Sequence, residues 1–163
     1  MIAVSRVFLL CVCALAACLV TLRPVETQSS LRRITITTAA GTSINPSVSG
    51  DGNIVGFEST EDIVGSGGTS SFRAFRANLS VDPPTLFQVG RTRAAAPAIS
   101  QNGSRIALAS KDDPLGTNTD GNSEIFLFNG ANLLQITNTT PNSSANRVTE
   151  GNFQPSISDD GRY

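Results

Sequence analysis

The sequence predicts an all-β fold built from a repeated unit of four short strands. One seven-residue phrase occurs three times, at offsets of 51 and 58 residues, and repetition at such a period is typical of repeat architectures. In the segments that follow the first two copies, apolar residues alternate with small or polar ones, as they do in strands. The copies are Pro-Ser-Val-Ser-Gly-Asp-Gly at 46–52, Pro-Ala-Ile-Ser-Gln-Asn-Gly at 97–103 and Pro-Ser-Ile-Ser-Asp-Asp-Gly at 155–161.

Each copy of the phrase ends in a dipeptide that favours a tight turn between two strands. Asn, Asp and Gly adopt positive φ with little strain, so they suit hairpin turns. A proline begins each copy, ahead of the first strand, where its missing N–H costs little. The predicted turn residues are Asp51 and Gly52, Asn102 and Gly103, and Asp160 and Gly161.

The segments after each turn predict the remaining strands of the two complete units. These strands are expected at 53–59, 73–78 and 86–89 in the first unit and at 104–110, 124–129 and 133–136 in the second. Period-two spacing predicts an apolar face that packs between adjacent sheets. Its members are Val55, Phe57, Ile106 and Leu108. Arg73 and Arg76 put charge into the third strand of the first unit, so this strand is expected to be partly exposed or poorly formed.

Two longer segments carry a family resemblance. Pro-Ser-Ile-Ser-Asp-Asp-Gly-Arg-Tyr at 155–163 and Ile-Ala-Leu-Ala-Ser at 106–110 are similar to the core Pro-x-x-Ser-x-Asp-Gly-x-x-Ile-Ala-Phe-x-Ser of the TolB-like, WD-repeat-like β-propeller family. Residues 118–127 look like a loop-to-strand segment common in secreted bacterial members. The resemblance covers residues 31–163 and implies that each unit is one propeller blade, a sheet of four antiparallel strands.

The resemblance implies an incomplete propeller of about two complete blades and the start of a third. Blade one is expected at about 44–90, blade two at about 95–138 and the start of blade three at 153–163. Residues 31–38 resemble the last strand of the second unit and are expected to form a stray fourth strand. Closed propellers have about four to eight blades. The chain is therefore expected to be the N-terminal part of a longer product, the alternative being a short chain that oligomerises to complete a ring.

Residues 1–28 are predicted to be an export signal and not part of the fold. Arg6 precedes an apolar run of 16 residues at 7–22, which is shorter than the about 20 residues that a spanning helix needs. All three cysteines lie inside this run, so the folded part has none for a disulfide. The protein is expected to be extracytoplasmic, whether periplasmic, secreted or attached to the outer membrane by a lipid.

The apolar run also contains a candidate lipidation site. Leu-Ala-Ala-Cys at 15–18 matches a bacterial lipobox, in which Cys18 would be lipidated and become the new N-terminus. Ordinary cleavage between Ala16 and Ser29 is one alternative, and an uncleaved signal anchor is another. Cys18 or the uncleaved segment would then be the means of membrane attachment.

The composition excludes several classes of function. The chain has no histidine, which removes the Ser-His-Asp triad and the commonest metal ligand. Its 12 Lys and Arg residues nearly balance 13 Asp and Glu residues, for a net charge of −1, and the basic residues do not cluster. A nucleic-acid surface needs a concentrated positive patch. We therefore expect neither an enzyme nor a nucleic-acid-binding protein.

One loop of the second unit is a candidate for calcium binding, because Ca²⁺ favours carboxylate and amide oxygens. Its spacing departs from the EF-hand pattern, since Glu124 comes too early, and the corresponding loop 65–70 of the first unit has no acids. The alternative is a turn rich in Asn and Asp whose side chains bond their own backbone. No other cofactor is expected. The candidate ligands are Asp113, Asn118, Asp120, Asn122 and Glu124.

The function implied by the resemblance is that of an exported, non-catalytic propeller. Such a propeller would present loops and a central channel as a scaffold for binding an unidentified protein or small ligand. The alternative is the propeller domain of a larger secreted enzyme, such as a serine peptidase, whose catalytic domain is missing from this chain. A fold alone does not choose between these roles.

Overall fold

A computed structural model describes residues 31–38, 40–67, 71–92 and 95–163. The export signal predicted at 1–28, with its candidate lipidation site Cys18, lies outside these residues. No helix among them has the length and apolar character needed to cross a membrane. Residues 33–163 make one compact unit.

The chain builds a first sheet of four antiparallel strands in simple sequence order. Consecutive strands are neighbours throughout, and the register pairs Phe57 with Phe75 in the two central strands. The strands are β1 (Ser43–Val48), β2 (Ile54–Ser59), β3 (Arg73–Asn78) and β4 (Thr85–Arg91).

A second sheet repeats the same order and sense. Its strands are β5 (Ala98–Ile99), β6 (Ile106–Ser110), β7 (Glu124–Phe128) and β8 (Leu133–Gln135). The one helical element in the described residues is a 3₁₀ turn at Asn146–Val148. The prediction of an all-β chain with four antiparallel strands in each unit is therefore confirmed, and within the described residues neither sheet closes on itself.

The core of the first sheet lies on one of its two faces. Alternation places Val55 and Phe57 of β2 beside Ala77 and Phe75 of β3, and the two phenyl rings stack with centroids 5.6 Å apart. All four residues are buried. Partly buried apolar side chains cover them, from Ile34, Ile63, Leu79 and Leu86.

The opposite face of the first sheet packs against the second sheet. We call it the contact face, and its residues are Ile54, Gly56, Arg76, Phe87 and Gly90. The second sheet lies directly over two glycines of this face: a Cβ at Gly56 would lie 3.9 Å from Ile106, and one at Gly90 would lie 3.8 Å from Leu108, both at van der Waals contact.

The four residues of the predicted apolar face divide into two pairs that meet different surroundings. Ile106 and Leu108 do pack between the sheets. Val55 and Phe57 are buried, but they face away from the second sheet. The physical reason is the pleat: successive residues point to opposite faces, and Gly56 takes the face that meets the neighbour.

One other prediction was wrong. The strand that contains Arg73 and Arg76 is fully paired with both of its neighbours, and Arg73 is only 2% exposed. Residues 31–38 pair with no strand among the described residues, and their assignment as a stray fourth strand stays a prediction. Ile34 contributes its side chain to the cover of the first core.

The turns at the ends of the repeated phrase dock on the sheet that comes before them. Gly103 has φ +67°, and a Cβ at this position would lie 2.4 Å from Ile54 of the first sheet. Gly161 has φ +71°, and its Cβ would lie 2.6 Å from Arg105 of the second unit. Since Ile54 and Arg105 are 51 residues apart, each turn uses the same position of the preceding unit.

We predict that Gly103→Ala destabilises the fold much more than Gly52→Ala. Both glycines have positive φ, so each alanine carries a backbone strain of about 1–2 kcal/mol. Only the alanine at 103 also meets Ile54, which adds an overpacking cost of about 1–3 kcal/mol, whereas the space around Gly52 is open. Urea unfolding of both variants measures the difference. Equal losses in the two variants would show that the turn does not dock on the preceding sheet.

Candidate functional site

The first copy of the repeated phrase folds into a turn held by its own polar side chains. The Ser49 hydroxyl donates to Asp51 Oδ1 at 2.6 Å and accepts the Ile54 N–H at 3.0 Å. The other contacts come from Asn53, whose backbone N–H donates to Asp51 Oδ1 at 3.0 Å and whose side chain donates to Asp51 Oδ2 at 2.9 Å. Serine and aspartate therefore satisfy the backbone groups that the hairpin turn leaves unpaired.

The second and third copies form the same hydrogen bond from the serine hydroxyl to the side chain two residues later. The Ser100 hydroxyl donates to Asn102 Oδ1 at 3.0 Å and accepts the Arg105 N–H at 3.1 Å. In the third copy, the Ser158 hydroxyl donates to Asp160 Oδ1 at 2.7 Å. Asn and Asp exchange in this role because each offers the same acceptor oxygen. Asp51, Asn102 and Asp160 therefore share one structural role, and the N–H of the glycine after each of them donates to the carbonyl of the same serine.

Backbone hydrogen bonds join the three turns into one row. The Gly50 N–H donates to the carbonyl of Gln101 at 2.7 Å, and the Gln101 N–H donates to the carbonyl of Asp159 at 2.9 Å. The arginine side chains of the preceding units add a bond to each next turn: Arg76 Nε to the Gly103 carbonyl at 3.2 Å, and Arg105 to the Gly161 carbonyl at 2.7 Å.

The three turns border an open, shallow concavity of about 510 Å³. We call its lining the turn row, and its residues are Gly50, Asp51, Gln101, Asn102, Asp159 and Asp160. The side chains that line it are carboxylates and amides, and all of them are exposed to solvent. Three of these side chains are carboxylates, so the lining of the concavity is negatively charged.

Hydrogen bonds keep two of these carboxyls ionised to low pH. The Ser49 hydroxyl, followed by the backbone and side chain of Asn53, lowers the pKa of Asp51 from 3.8 to about 2. The Ser158 hydroxyl and then the Arg162 N–H lower the pKa of Asp160. The same hydrogen bonds that shape the turns therefore keep these two carboxyls negatively charged.

The calcium candidates form a self-bonded turn. Asp113 accepts the Asn118 N–H at 2.8 Å, and the Asn118 side chain donates to the carbonyl oxygens of Asp112 at 3.2 Å and Asn122 at 3.1 Å. Asp120 is half-buried. Among the described residues, no three Asp, Glu, His or Cys side chains come close enough together to hold a metal ion. The contacts therefore match the alternative of an Asn- and Asp-rich turn that bonds its own backbone, and calcium binding stays a prediction.

Glu124 is the centre of a buried polar network that the sequence did not reveal. Its side chain is fully buried, and its carboxylate accepts four hydrogen bonds. The donors are Asn122 Nδ2 at 2.8 Å, the Thr139 N–H at 2.6 Å, Asn152 Nδ2 at 2.9 Å and the Thr137 hydroxyl. Four acceptor sites are what an ionised carboxylate offers, so the network is complete at this residue. These bonds join the start of β7 to two segments that follow β8, one at 137–139 and the other at Asn152.

A second buried carboxylate plays a similar part in the first sheet. Glu58 is fully buried and accepts bonds from Asn45 Nδ2 at 2.7 Å and from the Thr92 hydroxyl. These partners lie in the first strand of the sheet and just beyond the last, so one side chain links the two edges of the sheet. An acidic residue inside an otherwise apolar strand is the sequence signal that could have pointed to both networks.

Comparison with models of protein families, with curated proteins and with solved structures finds no match to this chain. Its function therefore has to be inferred from the residues and contacts described above.

We predict that Glu124→Gln lowers the free energy of unfolding by about 2–4 kcal/mol, because the new amide nitrogen faces two hydrogen-bond donors whichever way it turns. The matched control is Glu61→Gln, whose carboxylate accepts an exposed bond from Thr38. It should change stability by less than about 0.5 kcal/mol. Urea unfolding at pH 7 compares them. A loss no larger at 124 than at 61 contradicts the role of the network.

We also predict that acid destabilises the protein through Asp51. Its pKa is lower in the folded than in the unfolded state, so the folded protein binds fewer protons between pH 3.8 and about 2. The stability that Asp51 contributes is complete above this window and is lost as the pH falls through it. Carbon-detected NMR titration of the carboxyl should give a midpoint near 2, and Ser49→Ala should raise that midpoint towards 3.8.

Asp51→Asn provides the matched control, since Asn102 already fills the equivalent place. The variant should keep the turn at pH 7 and lose the Asp51 part of the acid sensitivity. An unchanged midpoint in Ser49→Ala would contradict the cause assigned to the shift.

Proposed function

We propose that the chain is part of a TolB-like β-propeller and serves as an exported, non-catalytic scaffold that binds a protein or small ligand at the turn row. The observation that carries this proposal is the hydrogen-bonded succession of three like turns around one concavity. In the first two units the turn joins the first strand to the second, and neighbouring units therefore bring equivalent loops to a shared surface. Binding surfaces of repeat proteins are commonly built in this way.

The stacking of the two sheets supports their identification as successive blades. The contact face of the first sheet meets the Ile106 and Leu108 face of the second, and Phe87 of one stacks on Phe128 of the other with centroids 5.4 Å apart. The third copy of the phrase docks on the second unit as the second copy docks on the first. Stacking that repeats in one sense is what generates a propeller.

The charge of the turn row indicates the chemistry of its ligand. Three carboxylates, from Asp51, Asp159 and Asp160, line the concavity, and no basic side chain is among its lining residues. A concave surface of one sign raises the local concentration of the opposite charge. We propose that the ligand presents a lysine, an arginine or another cationic group.

The non-catalytic and exported parts of the proposal are supported by the sequence. The chain contains no histidine, so it lacks the usual general base, and its first 28 residues have the composition of an export signal. The alternative, a domain of a larger secreted peptidase, is supported by the family resemblance alone.

A binding titration tests the proposal. We predict that short peptides rich in lysine or arginine shift the NMR amide resonances of Gln101, Asn102 and Asp160, while glutamate-rich peptides of equal length do not. The triple variant Asp51→Asn, Asp159→Asn, Asp160→Asn should weaken this binding about tenfold or more and reduce its salt dependence, because a charged hydrogen bond is stronger than a neutral one.

The control is Asp112→Asn with Asp113→Asn, which removes two carboxylates that do not line the concavity. It should bind the basic peptides as the parent does. Equal weakening in both variants would mean that net charge, and not the turn row, attracts the peptides.

A further inference from the structure

A second pocket lies between the two sheets. It has a volume of about 380 Å³ and is lined by Arg76, Phe87, Ser104, Phe128 and Gly130. Phe87 and Phe128 stack on each other and belong to different sheets, whereas Ser104 and Gly130 come from two loops of the second unit. The pocket shares no lining residue with the turn row.

The cationic side of this pocket is formed by Arg76. Its Nε–H donates to the Gly103 carbonyl at 3.2 Å, which fixes the guanidinium at the junction of the sheets. Among the ion pairs of the described residues, none involves Arg76, whereas Arg91 pairs with Asp112. A half-buried guanidinium thus lines a cavity without a neutralising carboxylate, and its fork of donors suits a planar oxyanion.

The apolar side of the pocket is aromatic and partly open. Phe128 is buried. Phe87 stacks on Phe128, yet it remains 52% exposed. A flat apolar group placed on Phe87 would remove this ring from water and gain the stabilisation of an aromatic pair. Cation and aromatic surface therefore lie side by side in one cavity.

The pocket exists because the two units differ at these positions. Arg76 corresponds to Leu127 in the second unit, and the strand that contains Phe87 corresponds to one with leucines at 133 and 134. Leucine is neutral, whereas arginine at this position adds a charge and a bond to the Gly103 carbonyl of the next turn. That bond uses the Nε–H, and no carboxylate lies among the residues that line the pocket, so a carboxylate ligand would supply the counter-charge.

We propose that this pocket binds a small carboxylate that bears a flat apolar or aromatic group. The carboxylate would accept bonds from the Arg76 guanidinium, and the apolar group would lie on Phe87. This site is separate from the turn row and would hold whether or not the turn row binds cationic ligands.

Calorimetric and NMR titrations of the full chain with trans-cinnamate test the proposal. Cinnamate should bind and should shift the amide resonances of Gly103, Ser104 and Gly130. Cinnamamide, which lacks the charge, and acetate, which lacks the ring, should each bind about tenfold more weakly or worse, because each keeps only one of the two interactions.

Matched variants locate the site. Arg76→Gln should weaken cinnamate binding about tenfold or more, whereas Arg91→Gln, which removes an exposed arginine paired with Asp112, should leave it unchanged. Asp51→Asn with Asp160→Asn should also leave it unchanged, which separates this pocket from the turn row.

The same experiments can overturn the proposal. Equal affinity for cinnamate and cinnamamide, parental binding in Arg76→Gln, or shifts confined to other residues would each do so. If Arg76→Gln does not fold, Arg76→Lys keeps the charge but loses the planar fork and should bind cinnamate more weakly than the parent. The comparison of the three ligands on the parent chain needs no variant, and failure of cinnamate to bind there is sufficient to reject the pocket as an anion site.

Discussion

The docking of each Asx-Gly turn on the preceding unit is the constraint on which the arrangement of this protein depends. Gly103 can approach Ile54 so closely only because it lacks a Cβ, and the turn around it is already rigid through the bonds of Ser100 and Asn102. A rigid turn that meets a fixed point of the previous sheet determines how the next sheet lies. The backbone bond from Gly50 to the carbonyl of Gln101 then connects the two turns at the same end.

Buried acidic side chains perform the complementary task at the opposite ends of the strands. Glu124 begins β7 and Glu58 lies near the end of β2, so both are remote in the sheet from the turns. Each carboxylate accepts at least one bond from a segment beyond its own hairpin: Glu58 from Thr92, and Glu124 from Thr139 and Asn152. Short strands and small turns would not otherwise hold these segments together. A buried acid without these donors would be strongly destabilising, so the whole set of partners has to fold with it. The turns therefore connect neighbouring units, and the buried carboxylates hold together the segments within each unit.

The sequence predicts the parts of this fold that arise from local rules. Period-two alternation and Asx-Gly dipeptides locate the strands and the turns because both depend on residues adjacent in the chain. The same rules do not reveal which neighbour a face meets: Val55 and Phe57 hold the positions that Ile106 and Leu108 hold in the second unit, yet they face away from the second sheet. These rules also suggest exposure for a charged strand residue, whereas Arg73 is buried. Donors to Glu124 come from as far as Asn152, and a local pattern carries no information about contacts over that distance.

The two candidate sites differ in how they relate to the repeat. The turn row forms at equivalent positions of the units, and the pocket at Arg76 forms where equivalent positions hold different residues. The turn row draws its charge from residues that also build the turns, so its acidity follows wherever aspartate rather than asparagine fills the shared place. Asp51 and Asp160 carry charge there, while Asn102 gives the same hydrogen bonds without it. The structural demand is for an acceptor oxygen, and Asp and Asn both meet it, so the charge of each turn can vary without loss of the turn. The pocket at Arg76 is the reverse case, in which a position that holds a neutral leucine in the second unit holds a charge in the first. Positions where equivalent residues satisfy the fold but differ in charge are therefore the places where the surfaces of the repeated units differ most.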